Sequence, residues 1–202
     1  MTVLPHPQPL LLRTGPTRST GTHLSGVLRY IARTLGTIKD YGDDLEEVMG
    51  TADGPGPHKG TSVRFALGFA WEEWMAARIP GLIWQPGEIC LDSVYMNMDG
   101  IDCELRVHEV KSTFKSSKNS IADVQLWMWQ GCGYLKGIQA QYGVSAVPRV
   151  VVYHPLYLRG DYQGIDPVYR PESVTFEQEE IDSVWDMVRR NKDHANVKRE
   201  GE

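Results

Sequence analysis

Only three cysteines, Cys90, Cys103 and Cys132, occur in the 202 residues, and no two stand in a CxxC spacing. A structural zinc or iron–sulfur cluster usually needs four soft ligands, so neither is supported. The thiols read instead as buried side chains of a protein in a reducing compartment. No apolar run approaches 18 residues, which leaves no candidate membrane span and no membrane partner. Pro5, Pro7 and Pro9 surround a short Leu10-Leu11-Leu12, without the basic region and longer apolar core of a secretory signal. Positive charge is not in excess either. The formal net charge of -5 argues against a chain that coats polyanions through a general basic surface, though not against basic residues gathered locally. No Ser-His-Asp constellation, P-loop or zinc-finger spacing is found. The expectation is a soluble cytoplasmic protein.

What is present is an ordinary globular composition, 41 % hydrophobic and 23 % charged, at a length suited to one domain with a core of its own. Residues 1–21 are rich in Pro, Thr and Gly and read as an extended N-terminal segment; 22–192 read as a single domain and 193–202 as a charged tail. Val27, Leu28, Ile31 and Leu35 recur at helical spacing behind Ser25, predicting a helix to Gly36. Residues 40–60, broken by Gly50, Gly54, Pro55, Gly56 and Pro57, predict a long exposed loop. A helix is expected over Val63 to Ile79, stopped by Pro80-Gly81.

Glu88 to Met96 and Cys103 to Lys111 predict two paired strands joined through 97–102. Phe114 to Ser120 reads as a polar basic loop, and Ile121 to Tyr142 as a helix despite Gly131, Gly133 and Gly137. A strand over Ala146 to His154 and a turn-rich stretch over Pro155 to Pro171 follow. Thr175 with Gln178 then suggests a capping box for a last helix to about Arg190. An antiparallel pair followed by an alpha-beta crossover gives a central mixed β-sheet flanked by α-helices.

The most informative pattern is Asp99 followed ten residues later by Glu109-Val110-Lys111. Period-two alternation places Leu105, Val107, Glu109 and Lys111 on one strand face, so the acid and the amine emerge together. Two carboxylates, with the Val110 carbonyl nearby, offer the oxygen ligands that Mg2+ or Mn2+ prefers. Lys111 can orient a water and stabilise charge growing on a phosphate. Gln130 and Tyr134, four apart, share a helix face, where an amide and a phenol can hold a nucleic-acid strand. Ser112, Thr113, Lys115 and Lys118 form a polar basic stretch beyond the lysine, suited to phosphate contacts. Trp127 and Lys136 are further groove candidates, while His23 and His58 precede helices and can approach the cleft.

With these residues in place the chain resembles the PD-(D/E)xK nuclease superfamily, in particular its RecB-like and phage lambda-exonuclease-like branches. Asp99, Glu109 and Lys111 match the signature, with Met98 in place of the commoner Pro. Gly68-Phe69-Ala70-Trp71-Glu72 matches a Gly-x-x-x-Glu helix motif, making Glu72 rather than Glu73 the further metal-site carboxylate. Gln130-Gly131-Cys132-Gly133-Tyr134 matches Gln-x-x-x-Tyr. The subtype with an iron–sulfur cluster has cysteines that this chain lacks.

The resemblance implies a restriction-endonuclease-like core, with Glu72, Asp99, Glu109 and the Val110 carbonyl holding Mg2+ and Lys111 placing the water. It further implies Mg-dependent hydrolysis of DNA, by an exonuclease in recombination, repair or replication of a bacterium or phage-infected cell. Self-assembly or a phage recombination or replication partner is compatible with it. A nicking or structure-specific DNA endonuclease, or a catalytically inactive nucleic-acid-binding protein of the same fold, remain alternatives.

Overall fold

The computed structural model describes residues 19–36, 59–113, 116–158 and 166–196. The predicted N-terminal segment up to residue 18, most of the predicted 40–60 loop, Lys115 and the last six residues lie outside these ranges.

Helix α1 (Leu24–Thr34) buries Leu24, Val27, Leu28, Ile31 and Ala32, the i, i+3, i+4, i+7, i+8 stripe of an amphipathic helix. Helix α2 (Lys59–Ala76) starts earlier and ends earlier than expected. Helix α3 (Gln125–Tyr142) follows a 3-10 turn, Ile121–Asp123, capped reciprocally by Ser120 and Asp123. Helix α4 (Gln178–Asn191) buries Ile181, Val184, Trp185 and Val188. Its capping box is Glu177 with Glu180 rather than Thr175 with Gln178, because Thr175 is still paired in a strand.

The strands are β1 (Thr22–His23), β2 (Ile83–Trp84), β3 (Glu88–Leu91), β4 (Val94–Asn97), β5 (Gly100–Ile101), β6 (Val107–Thr113), β7 (Val150–Tyr157), β8 (Val168–Tyr169) and β9 (Glu172–Thr175). They form a three-stranded sheet, β1-β4-β3, and a six-stranded mixed sheet ordered β2-β5-β6-β7-β8, with β9 also on β7. The β6–β7 pair is parallel and connected through α3, while β5–β6, β7–β8 and β7–β9 are antiparallel. Helix α3 covers one face of the central sheet, backed by α1 and α4, and α2 covers the other. This is the restriction-endonuclease-like α/β architecture expected, a central mixed sheet flanked by helices.

Three strand expectations are corrected. Glu88 to Met96 is a hairpin, turned at Asp92 and Ser93, whose φ values of 50° and 66° give the twist that a two-residue loop needs. Cys103 to Arg106 is a turn, because Asp102 Oδ1 accepts from the backbone N–H of Glu104 at 2.9 Å and of Arg106 at 3.0 Å. Leu105 takes φ 62° there and leaves the strand face assigned to it. Beyond Pro155 the chain is not merely turns. Strand β7 runs on to Tyr157, and Pro155, without an amide donor, falls where pairing with β9 ends and pairing with β8 begins.

Glycines let α3 approach α1 and the central sheet. A Cβ at Gly133 would lie 2.5 Å from Leu24 Cδ2, and one at Gly131 2.5 Å from the Tyr153 hydroxyl. Their helix-propensity cost is the counterpart of that close packing. Among the cysteines only Cys132 is buried; Cys90 on β3 and Cys103 in the Asp102 turn are exposed. No helix among the described residues is long and apolar enough to cross a membrane.

Candidate active site

A cleft of about 190 Å³ is lined by Glu72, Asp99, Glu109, Val110, Lys111, Gln130 and Tyr134, together with His23, Leu24, Ser25, Tyr95, Met96 and Asn97. Residues from α2, β6, α3 and the approach to β5 thus line one cleft. Glu72 turns into the cleft partly buried, whereas Glu73 is exposed.

Strand β6 sets the geometry. Val107, Glu109 and Lys111 point to the α3 side; His108, Val110 and Ser112 point to the α2 side, where Val110 packs with Trp71 and Met75. Asp99 Oδ2 accepts the Val110 backbone N–H at 2.7 Å, tying the residue before β5 to the centre of β6. Lys111 Nζ donates to Glu109 Oε1 and, at 3.3 Å, to Gln130 Oε1. Gln130 Nε2 donates to the Tyr134 hydroxyl at 2.6 Å, and that hydroxyl donates to the Asn97 carbonyl at 2.7 Å.

Electrostatically the cleft holds more acid than its single lysine balances. Burial pushes Glu109 up to about 8, assisted by Asp99 and opposed by Lys111. Burial and Asp99 together push Glu72 up to about 7. Asp99 is raised by burial against the opposition of Lys111 and the Val110 N–H. For Lys111 burial favours the neutral amine, but Glu109, Asp99 and Glu72 overcome it and hold the ammonium above its ordinary value. Crowded acids of this kind take up either protons or a cation.

The fit to a divalent ion is partial. The donor set is oxygen-rich, as Mg2+ prefers, and Glu109 Oε2 is buried with no hydrogen-bond partner. Among the described residues, however, no three His, Cys, Asp or Glu side chains converge as a metal cage. One oxygen of Glu109 is taken by Lys111 and one of Asp99 by Val110.

The predicted substrate contacts divide. Gln130 and Tyr134 reach the cleft, but Tyr134 is 4 % exposed and its ring is not offered for base stacking. Ser112 faces Gly68 of α2, and Ser112, Thr113 and Lys118 are absent from the cleft lining. The loop beyond β6 is less solvated than expected, since Ser116 and Ser117 are buried. Lys136 is bound to Asp182 at 2.5 Å, and Trp127 packs against the core. His23 does line the cleft, with Nε2 paired to the Ser19 carbonyl at 2.8 Å; His58 lies outside the described residues. Sequence reasoning missed Tyr95 and Asn97. For Tyr95 the signal was the alternation of β4, where Val94 and Met96 are buried on either side of it, whereas Asn97 enters through a carbonyl that no side-chain pattern reveals.

On the reverse face lies a second polar array. His108 Nε2 meets Asp102 Oδ2 at 3.2 Å, His108 Nδ1 meets His154 Nε2 at 2.9 Å, and His154 Nδ1 meets the Tyr169 hydroxyl at 2.9 Å. It clasps the Asp102 turn, β6, β7 and β8 together.

No family model matches the chain, and no curated protein matches it in sequence. Several solved structures are similar, among them the following two. One, from Eubacterium rectale and provisionally named an exonuclease, is 16 % identical with a TM-score of 0.42, covering 91 % of this chain and 68 % of that one. The other, SSO0001, is 9 % identical with a TM-score of 0.46, covering 87 % and 77 %. The function of this chain is therefore inferred from its own topology and cleft.

Proposed function

We propose that the chain is a metal-dependent deoxyribonuclease of the PD-(D/E)xK type. The observation that carries this reading is the meeting of Glu72, Asp99, Glu109 and Lys111 in one cleft, from three separate elements of the fold. Glu72, Asp99, Glu109 and the Val110 carbonyl would hold Mg2+ or Mn2+, which supplies an acidified water and charge neutralisation at the phosphate. Asp99 fixes β6 through Val110, and Lys111, kept cationic by its acids, offers hydrogen bonds to a phosphate oxygen or the attacking water. No covalent protein intermediate is required. Action from DNA ends is the mode proposed, in recombination, repair or replication.

One observation favours a second reading, a nucleic-acid-binding protein of this fold without catalysis. Among the described residues the acids as placed do not converge on one ion. Incubation of the protein with linear and closed circular DNA, with and without Mg2+, separates the possibilities. Progressive loss of linear DNA that EDTA abolishes is expected. Opening of closed circles would reassign it as an endonuclease, and binding without cleavage of any nucleic acid would favour the second reading.

A further inference from the structure

We propose that Tyr134 is a positioning residue for Lys111, acting through Gln130 and anchored on the backbone of β4. The inference rests on the nuclease reading for its consequence and on geometry for its existence. Four groups form one chain, Lys111 Nζ to Gln130 Oε1 at 3.3 Å, Gln130 Nε2 to the Tyr134 hydroxyl at 2.6 Å, and that hydroxyl to the Asn97 carbonyl at 2.7 Å.

Both ends have fixed polarity. A carbonyl can only accept and an ammonium can only donate. The Tyr134 proton therefore goes to Asn97, its oxygen accepts from the Gln130 amide, and the Gln130 oxygen faces Lys111. Only one orientation of each member satisfies every link.

The anchor is rigid. Asn97 pairs with Glu88 across β3–β4, and its own side chain donates to Glu88 Oε1 at 3.0 Å. Tyr134 is 4 % exposed, so water does not compete readily for its hydroxyl. Lys111 is at the other end. A lysine carries its charge on a flexible four-carbon stem, and with Glu109 as sole acceptor its ammonium could pivot about that contact. Gln130 supplies a second, uncharged acceptor from another direction and leaves one N–H for substrate. The same chain explains why a phenol too buried to stack on a base lines the cleft.

Two readouts test this in the whole chain. In Mg2+-dependent digestion of linear DNA, Tyr134→Phe should lower kcat roughly tenfold, the effect of one lost hydrogen bond to a charged group's support, with KM within about twofold. Gln130→Met, one link nearer the lysine, must reproduce that loss, so the outcome does not hang on one variant's folding. In a Lys111→Ala background Tyr134→Phe should change nothing further.

The second readout needs no cleavage. By NMR of side-chain amides, the Gln130 carboxamide should exchange with water roughly tenfold more slowly than that of exposed Gln85. Tyr134→Phe and Lys111→Met should each remove much of that protection. Unchanged Gln130 exchange in both variants overturns the relay whatever the activity, as does an unchanged kcat in an active protein. Lost protection in a protein that cuts no nucleic acid supports the relay and overturns only the hydrolytic reading.

Discussion

Asp99 accepts the backbone N–H of Val110 at 2.7 Å, so one oxygen of a cleft acid doubles as a structural pin on the strand that carries Glu109 and Lys111. The charge and the pin can be separated. Asp99→Asn retains an acceptor for Val110 and should unfold close to wild type, while cleavage falls by orders of magnitude. Asp99→Ala leaves a buried donor unpaired and should cost about 1–3 kcal/mol as well. Thermal melts beside digestion rates check both; equal stability of the two variants would show that the pin contributes nothing.

Proton and metal compete for the same acids. Glu109 and Glu72 have folded pKa values raised to about 8 and about 7, above their unfolded value. Their contribution to stability is therefore fully present below about pH 4.5 and is lost as pH rises through 7 to 8. Without divalent ion the protein should lose stability across that window, and Mg2+ should raise Tm more at pH 8 than at pH 5, where protons already occupy the acids. Scanning calorimetry at the two pH values reads the difference; the same Mg2+ shift at both would argue against binding at these acids.

His154 has the opposite slope. Burial, with His108 beside it, lowers its pKa to about 4. The unfolded chain takes up a proton near pH 6.5 that the folded chain refuses, so stability falls as pH drops from 6.5 to 4, by on the order of 3 kcal/mol. Because the acids act oppositely over part of this range, the effect is read as wild type minus His154→Gln in denaturant titrations. A difference independent of pH would contradict it.

The glycines of α3 differ in what a methyl group would meet. At Gly133 the added Cβ comes within 2.5 Å of Leu24 Cδ2 and within 3.3 Å of its Cγ, whereas at Gly137 it meets the terminal Cε of the unbranched, adaptable Met96 side chain at 2.8 Å. Gly133→Ala should destabilise by about 1–3 kcal/mol despite its gain in helix propensity, and Gly137→Ala should be milder. Urea unfolding of the two variants tests the ranking.

Helices were legible in the sequence where one face was apolar. Val27, Leu28 and Ile31 bury as their spacing implies, whereas Leu35, expected on the same stripe, falls just past the end of α1 and is exposed. Glu109 and Lys111 share a strand face as alternation implies, while Glu72 and Asp99, which line the same cleft, carried no signal beyond motif order. The hairpin at Asp92-Ser93 was not, since neither residue is the Asn or Gly that usually marks such a turn. The turn after Asp102 was hidden because its cause is one side chain capping two backbone donors, which hydrophobic alternation does not record. Asn97 was invisible as a site residue because its contribution is a carbonyl. The fate of Gln130 and Tyr134 was half legible. Their shared helix face was clear, but whether they met substrate or lysine depended on the depth of burial.

The nuclease reading stands or falls on the initial rate of Mg2+-dependent cleavage of linear DNA by wild type and Lys111→Ala, measured with DNA affinity in Ca2+ as a control for folding and binding. Wild type should cleave in a manner that EDTA abolishes, and Lys111→Ala should be slower by at least roughly a hundredfold with affinity little changed. Comparable rates for the two proteins would contradict the assignment.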